Sequence, residues 1–446
     1  MIRFDNPELT RMGYLELTPV RMIAMPAVLA LVLMLAVSTE VESAGIAGGA
    51  LAIYVILTHF WGLRQATESV TEEFRARTWD AQRMSIMSPR ELALGKLFGA
   101  NLFTWYGALM CLAVFVFFMR HELSAARIAW SVAFVLGSAL LLQGIAMFVA
   151  LLSPGARSLR LPYLLLLVFL ALPMLGGLYP LLTEDRGGGF LWYGRHLQTL
   201  QFAAVSAWLF ALWAIVGVIR LMAGELQVRT TPAVWCGFLA FITVFASGFV
   251  IDQDTAPLSA AVFILMTGCL AFNAGGALAA WFDSRDPLRF KRIGLALAAG
   301  RTRRVLEELP AWCAALAVAG VAAIVLVPAL AAVSARPTGA VIALLDQTGR
   351  FGPLTPAALV LLALRDVAFM HGVAFNRRSR RGELLIVVYL LLVYLLLPAL
   401  LAVTGARAII LPNPFTQPVV AVVVFAIHLA MVLVWVRMRW RTLGSA

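Results

Sequence analysis

The chain alternates long apolar runs with short polar connections. Twelve runs are readable, at about 22–39, 45–63, 97–119, 128–152, 161–183, 200–222, 233–251, 258–281, 311–335, 354–375, 384–404 and 418–436. Each is close to the roughly 20 mostly apolar residues that a helix needs to cross a bilayer. The runs are continuously apolar, which predicts helices; barrel strands would alternate residue by residue. Helix starts are written between the runs. Ser88-Pro89-Arg90-Glu91 has the form of a capping box with proline at the first helical position. Asn6-Pro7, Thr18-Pro19 and Asp286-Pro287 repeat the polar cap followed by proline.

The order of elements repeats. Each half reads as two runs, a long charged segment (64–96, then 283–310) and four further runs. Residues 143–173 and 366–398 both end one run, pass a short basic loop and enter a Leu-rich run that finishes in proline. The expectation is an all-α polytopic membrane protein of about twelve transmembrane helices in two six-helix halves, 1–223 and 224–446. Six runs per half preserve the in-out sense. The repeat is therefore parallel, about the membrane normal, which suits a central pathway between similar walls.

Composition removes the soluble alternative. Hydrophobic residues make up 62% of the chain and charged residues 13%, against about 45–50% and about 25% in soluble domains. The net charge of +12 has a topological explanation. With the N-terminus cytoplasmic, 27 of the 35 Lys and Arg fall in inside segments, 7 in outside loops, and Arg365 within a run. The positive-inside rule then puts both termini in the cytoplasm, in a multi-pass protein of the inner (plasma) membrane. No nucleic-acid partner is needed to account for the charge. The four cysteines lie in apolar segments without CxxC spacing, so neither a zinc site nor a disulfide framework is expected. The polar N-terminus lacks the order of a signal peptide.

No energy-converting motif is present. Gly95-Lys96 is followed by Leu97, which fails the phosphate-binding GxxxxGK[ST] pattern, and no HExxH or GxSxG occurs. His59, His121, His196, His371 and His428 are scattered. The chain is not expected to be an enzyme, nor to hold a metal or cofactor itself. Three polar stretches stand out. In 64–96, Thr67 to about Met87 reads as an amphipathic helix near the headgroups. Glu68, Glu72, Arg75 and Arg83 take exposed positions, and Val70, Phe74, Trp79, Met84 and Met87 make apolar contacts; an ordinary surface helix covering a loop fits the same pattern. Arg365-Asp366 lies near the middle of the tenth run, where a charge costs about 2.5–3.5 kcal/mol. Neighbours on a helix point about 100° apart, so each needs its own partner or a shared third group. A structural ion-pair network and a polar path lining both fit. Asn376 to Arg381, NRRSRR, reads as a topology signal that meets anionic headgroups, with contact to an ATPase as the other reading.

The segment E-x(3–5)-E-x-R-x-R-T-W-D, then S-P-x-E-L-x-x-G-K and the aromatic-rich NLFTWYGALMCL, resembles permeases of ABC-2 type exporters. The matching residues are Glu68, Glu72, Thr78, Trp79, Asp80, Ser88, Pro89, Glu91, Gly95 and Lys96. The resemblance implies a transmembrane permease subunit whose segment 64–96 carries a coupling helix, with Arg75 and Arg83 beside the matched positions. That helix would dock on a separate cytoplasmic ABC ATPase, present in two copies and binding the ATP and Mg. Asn6 to Leu17 looks like the family's connecting helix. Twelve spans imply a fused pair of permease halves, with a homodimer of the whole chain as the alternative. The second half lacks SPxE, so 283–310 is a degenerate coupling segment. Membrane lipid is the other expected partner. Two readings outside the family stay open: an ion-gradient-driven secondary transporter, whose customary long central loop is missing here, and a non-transporting membrane scaffold. Substrate is not readable, and export as the direction comes only from the resemblance.

Overall fold

A computed structural model of the chain describes residues 6–39, 41–152, 181–183, 189–253, 255, 257–283, 286–334, 352–374, 382–402 and 406–444. They form two compact units: Met1–Phe190 with His196–Thr230, and Leu191–Arg195 with Thr231–Ala446. The division follows Thr230, beyond a helix that runs through position 223/224.

In the first unit the helices are α1 (Pro7–Glu16), α2 (Pro19–Ser38), α3 (Ser43–Ala76), α4 (Trp79–Arg83), α5 (Pro89–Gly99), α6 (Leu102–Met119), α7 (Ala125–Leu152) and α8 (Thr199–Glu225). The polar-cap-proline signals are used as read. Asn6 accepts from the backbone N–H of Glu8 and Leu9, and Thr18 from that of Arg21. A hairpin of Gly189–Trp192 and Arg195–Gln198 precedes α8. Its turn places both Tyr193 (φ 49°) and Gly194 (φ 68°) in the left-handed region, as a two-residue type I′ loop requires.

In the second unit α9 (Ala233–Ser247), α10 (Pro257–Phe282), α11 (Pro287–Ala298), α12 (Thr302–Glu308), α13 (Ala311–Ser334) and α14 (Thr355–Ala374) follow. Helix α15 runs from Gly382–Leu391 through a π-helical segment, Leu392–Leu396, into Leu397–Ala402, and α16 spans Pro418–Gly444. Asp286 caps α11 by accepting from Leu288 N–H.

Ten described helices are long and apolar enough to cross a membrane, and the chain is a multi-pass membrane protein. The run at 161–183 lies outside the described residues except for 181–183. The run at 233–251 becomes a helix of only 15 residues. It stops early because carbonyls near its end have other donors: Trp192 Nε1 donates to Phe245 O and Tyr193 OH to Val244 O, at 3.0 and 2.6 Å.

The two units share a packing scheme. In each, the second long helix lies on the third (α3 on α6, α10 on α13), the fourth on the last (α7 on α8, α14 on α16), and the second on the fourth (α3 on α7, α10 on α14). The core of the first unit centres on Tyr54, Phe115, Leu63 and Met147; that of the second on Leu326, Phe272 and Phe425.

Candidate functional site

Helix α3 has 34 residues, about 51 Å at 1.5 Å per residue. The hydrocarbon core of a bilayer is about 30 Å thick, so the polar end beyond Trp61 continues outside it. No proline interrupts 43–76, and the helix ends where Arg77 turns left-handed at φ 58°. The short α4 and a bend follow, and the chain re-enters helix at Ser88. This corrects the expected surface helix over Thr67 to Met87. The stretch continues a spanning helix only as far as Ala76 and then makes a tight return, and the apolar stripe of Leu63, Ala66 and Val70 packs on the first unit's own helices.

A buried ion cluster holds this extension. Lys96 is fully buried, and its Nζ lies 2.5 Å from Glu73 Oε1 and 3.5 Å from Glu8 Oε1, and donates to Ser69 O at 3.3 Å. Arg11 pairs with Glu8 at 2.7 Å and approaches Glu73 at 3.6 Å. Two cations and two carboxylates thus balance where α1, α3 and α5 meet, as a buried ion pair requires. Burial pushes the Glu8 carboxyl up, but Arg11 and Lys96 outweigh it and hold the group below the usual carboxylate range. Helix α1 lies directly on α5: a Cβ on Gly95 would stand 2.6 Å from Glu8 Cβ, and one on Gly99 2.7 Å from Met12 Cβ. Asn6 Nδ2 also donates to Glu91 O at 2.7 Å.

The residues singled out in the sequence divide by environment. Glu72, Arg75, Thr78 and Asp80 are exposed, and Glu68 is half-buried and paired with Arg64 at 2.9 Å. Arg83 donates to Glu225 O at 2.9 Å and pairs with its carboxylate at 3.1 Å, tying the return to the end of α8. The capping box forms: Glu91 N–H donates to Ser88 Oγ at 3.2 Å and Ser88 N–H to Glu91 Oε2 at 2.8 Å, with Pro89 opening α5. The Ser88 N–H and hydroxyl hold Glu91 below its usual pKa. Trp79 makes the apolar contact read for it: it is 3% exposed, stacks on Phe74 at 4.3 Å and lies under Lys96, so it supports the return from within. Met84 is a correction, because it was read as an apolar contact and is 82% exposed. Ile86, unremarked in the sequence, is fully exposed beside it. Its only signal was an isolated Ile just before a capping box.

In the second unit Arg365 and Asp366 are buried and bond each other, Arg365 Nε donating to Asp366 Oδ1 at 2.9 Å. The Arg stem is long enough to fold back across the turn. The shared third group is Tyr394, which accepts from Arg365 at 3.3 Å and donates to Asp366. Tyr389 also donates to Asp366, at 2.9 Å. The guanidinium lies 5.5 Å from the ring centre of Phe425 on α16.

Histidines that looked scattered have partners. His59, fully buried in a π-helical segment of α3 (Ile56–Trp61), contacts Thr58 Oγ1 at 2.8 Å and Ser138 Oγ at 3.1 Å. His371 Nε2 lies 3.7 Å from Asp283, which also accepts from Arg289 at 2.8 Å and Trp312 Nε1 at 3.2 Å. Residues 376–381 lie outside the described residues. No group of three or more His, Cys, Asp or Glu suited to a metal ion occurs among the described residues. No protein-family model, curated protein or solved structure matches the chain.

Proposed function

We propose that the chain is the transmembrane permease subunit of an ATP-driven exporter of ABC-2 type, and that the return 77–88 is where a separate ATPase pushes. The observation that carries this reading is the pair Met84 and Ile86, 82% and fully exposed on a charged return outside the long apolar helices. Exposed apolar anchors within a polar rim are the usual form of a protein-docking hot spot, and Arg75, Asp80 and Ser88 supply the rim. The return has stiff support. A push there reaches α8 through Arg83–Glu225, and α1 and α5 through Lys96. In this reading both termini and the return are cytoplasmic, two ATPases supply the ATP and Mg chemistry, and the two units are the fused permease halves.

An ion-gradient-driven transporter is the second reading, and the buried Arg365–Asp366 pair favours it, because intramembrane ion pairs mark coupling sites in that class. Affinity purification of the tagged chain from its native membrane separates the two. The expected result is a co-purifying subunit with Walker motifs, lost on Met84→Asp with Ile86→Asp while the chain stays folded. Substrate movement by the chain alone in proteoliposomes under an ion gradient would overturn the ATPase reading.

A further inference from the structure

The segment of the second unit between its second and third long helices has a different surface. Helix α11 is bound down on one side. Arg289 pairs with Asp283 at the end of α10 and donates to Glu308 O at 2.6 Å, just before α13. Phe290 meets the Trp312 and His371 rings at 6.4 and 5.8 Å between centres. The helix is therefore held at the polar ends of α10, α13 and α14, at the level where a bilayer's headgroups begin. Its other side carries Leu288, Lys291, Arg292 and Leu295, spaced three, four and seven apart and so on one face; Arg292, at the edge and half exposed, also pairs with Asp286 at 3.7 Å and Glu308 at 3.3 Å. Leu288 and Leu295 are 50% and 72% exposed. Lys291 reaches the ring of Trp440, 5.9 Å from its centre. The following turn and α12 add exposed Arg301, Arg303 and Arg304.

We propose that α11 is a membrane-surface helix that binds anionic phospholipid, its leucines in the acyl boundary and its cations on the phosphates. Three features favour lipid over a protein partner. Hydrogen bonds and ring contacts tie the helix to the ends of three spanning helices. Leucines and cations mix on one face, as in helices that lie in the interface plane. The five charges from Lys291 to Arg304 are all basic; Arg292 and Arg303 pair with Glu308 and Glu307, while Lys291, Arg301 and Arg304 are exposed and complementary to anionic headgroups at about 1 kcal/mol per Lys or Arg. This assignment stands whether or not an ATPase drives the chain.

The test uses the full chain in nanodiscs of phosphatidylcholine with and without phosphatidylglycerol. The native cysteines are replaced and one NBD label is attached at Leu295→Cys or at Ile86→Cys. At position 295 the expected result is blue-shifted emission, quenched by doxyl lipid and shielded from iodide. At position 86 the reverse is expected. Native mass spectrometry should show phosphatidylglycerol retained, with Lys291→Gln and Arg292→Gln lowering retention about fivefold for each charge removed. A label at 295 that iodide quenches freely in both lipid mixtures would overturn the proposal. So would shielding at 295 that appears only when a soluble protein partner is bound, or phosphatidylglycerol retention unchanged in both charge variants.

Discussion

The two units solve one problem twice, with different chemistry. Each places two polar residues five apart on one face of a long helix: Tyr54 and His59 in α3, Tyr389 and Tyr394 in α15. In a regular α-helix five residues at about 100° each leave such a pair about 140° apart. A π turn, which closes from residue i to i+5, brings them over one another, and each helix has its π segment there, Ile56–Trp61 and Leu392–Leu396. In the first unit the residues they meet are neutral: Tyr54 OH donates to Val135 O, and His59 contacts Ser138. In the second they are charged: both tyrosines donate to Asp366, and Tyr394 also accepts from Arg365. The charge of the first unit is concentrated where α1, α3 and α5 join, outside the apolar spans. A charged cluster stiffens the polar extension of α3 in the first unit, and a buried charged pair sits in the unit whose α11 is tied to helix ends.

The largest effect should come from the deep pair. Asp366→Asn leaves Arg365 buried without its counter-charge and is expected to cost about 3–5 kcal/mol. Replacing Arg365 and Asp366 together by Leu should cost less. The matching change in the neutral cluster, His59→Asn, should cost about 1–2 kcal/mol, the scale of a lost hydrogen bond. Thermal unfolding in detergent gives all three. Equal losses from the single and double changes at 365 and 366 would break the contrast.

Lys96→Met comes next. It leaves Glu8 and Glu73 facing each other, with Arg11 as their remaining cation. The expected loss is about 3 kcal/mol, localised as release of α1 from α5. Limited proteolysis should then cut before Pro19 at rates the unaltered chain does not show. Loss of the whole fold with no early N-terminal cleavage would mean that the cluster serves the core and not the extension.

The smallest effect is on pH dependence. Burial raises the Asp283 carboxyl, but His371, Arg289 and Trp312 outweigh it and hold it below its usual value of 3.8. A carboxyl depressed in the folded state contributes stability that is fully present above its unfolded value and is lost as pH falls through the folded one. Melting temperature should therefore fall below about pH 4, and part of that fall should disappear in Asp283→Asn. A slope unchanged by that substitution would place the acid sensitivity in the first unit, at Glu8 or Glu91.

Much of the architecture is legible along the chain because lipid imposes a long, coarse signal. Ten of the apolar runs coincide with long apolar helices, and every polar-cap-proline signal opens a helix. The misses have separate causes. Trp79 and Met84 were both read as apolar contacts of one amphipathic helix, and Trp79 is one, but Met84 is 82% exposed. Arg77 breaks that helix by adopting φ 58°, and a left-handed arginine leaves no mark in a sequence. The 15-residue α9 was read as longer because its end is set by donors from Trp192 and Tyr193, 53 and 51 positions before the carbonyls they meet.

Hydrophobic pattern, composition and capping residues alone thus determined that this is a helical, multi-pass membrane protein with a long polar interruption in each half. These are local or summed properties, and each is written within a turn or a span. Only the tertiary structure decided which polar residues meet. Lys96 with Glu8 and Glu73, Asp283 with His371, and His59 with Ser138 are separated by 88, 23, 88 and 79 positions. Their pairing follows from helices packing side by side, and no local pattern encodes which turn of one helix will face which turn of another.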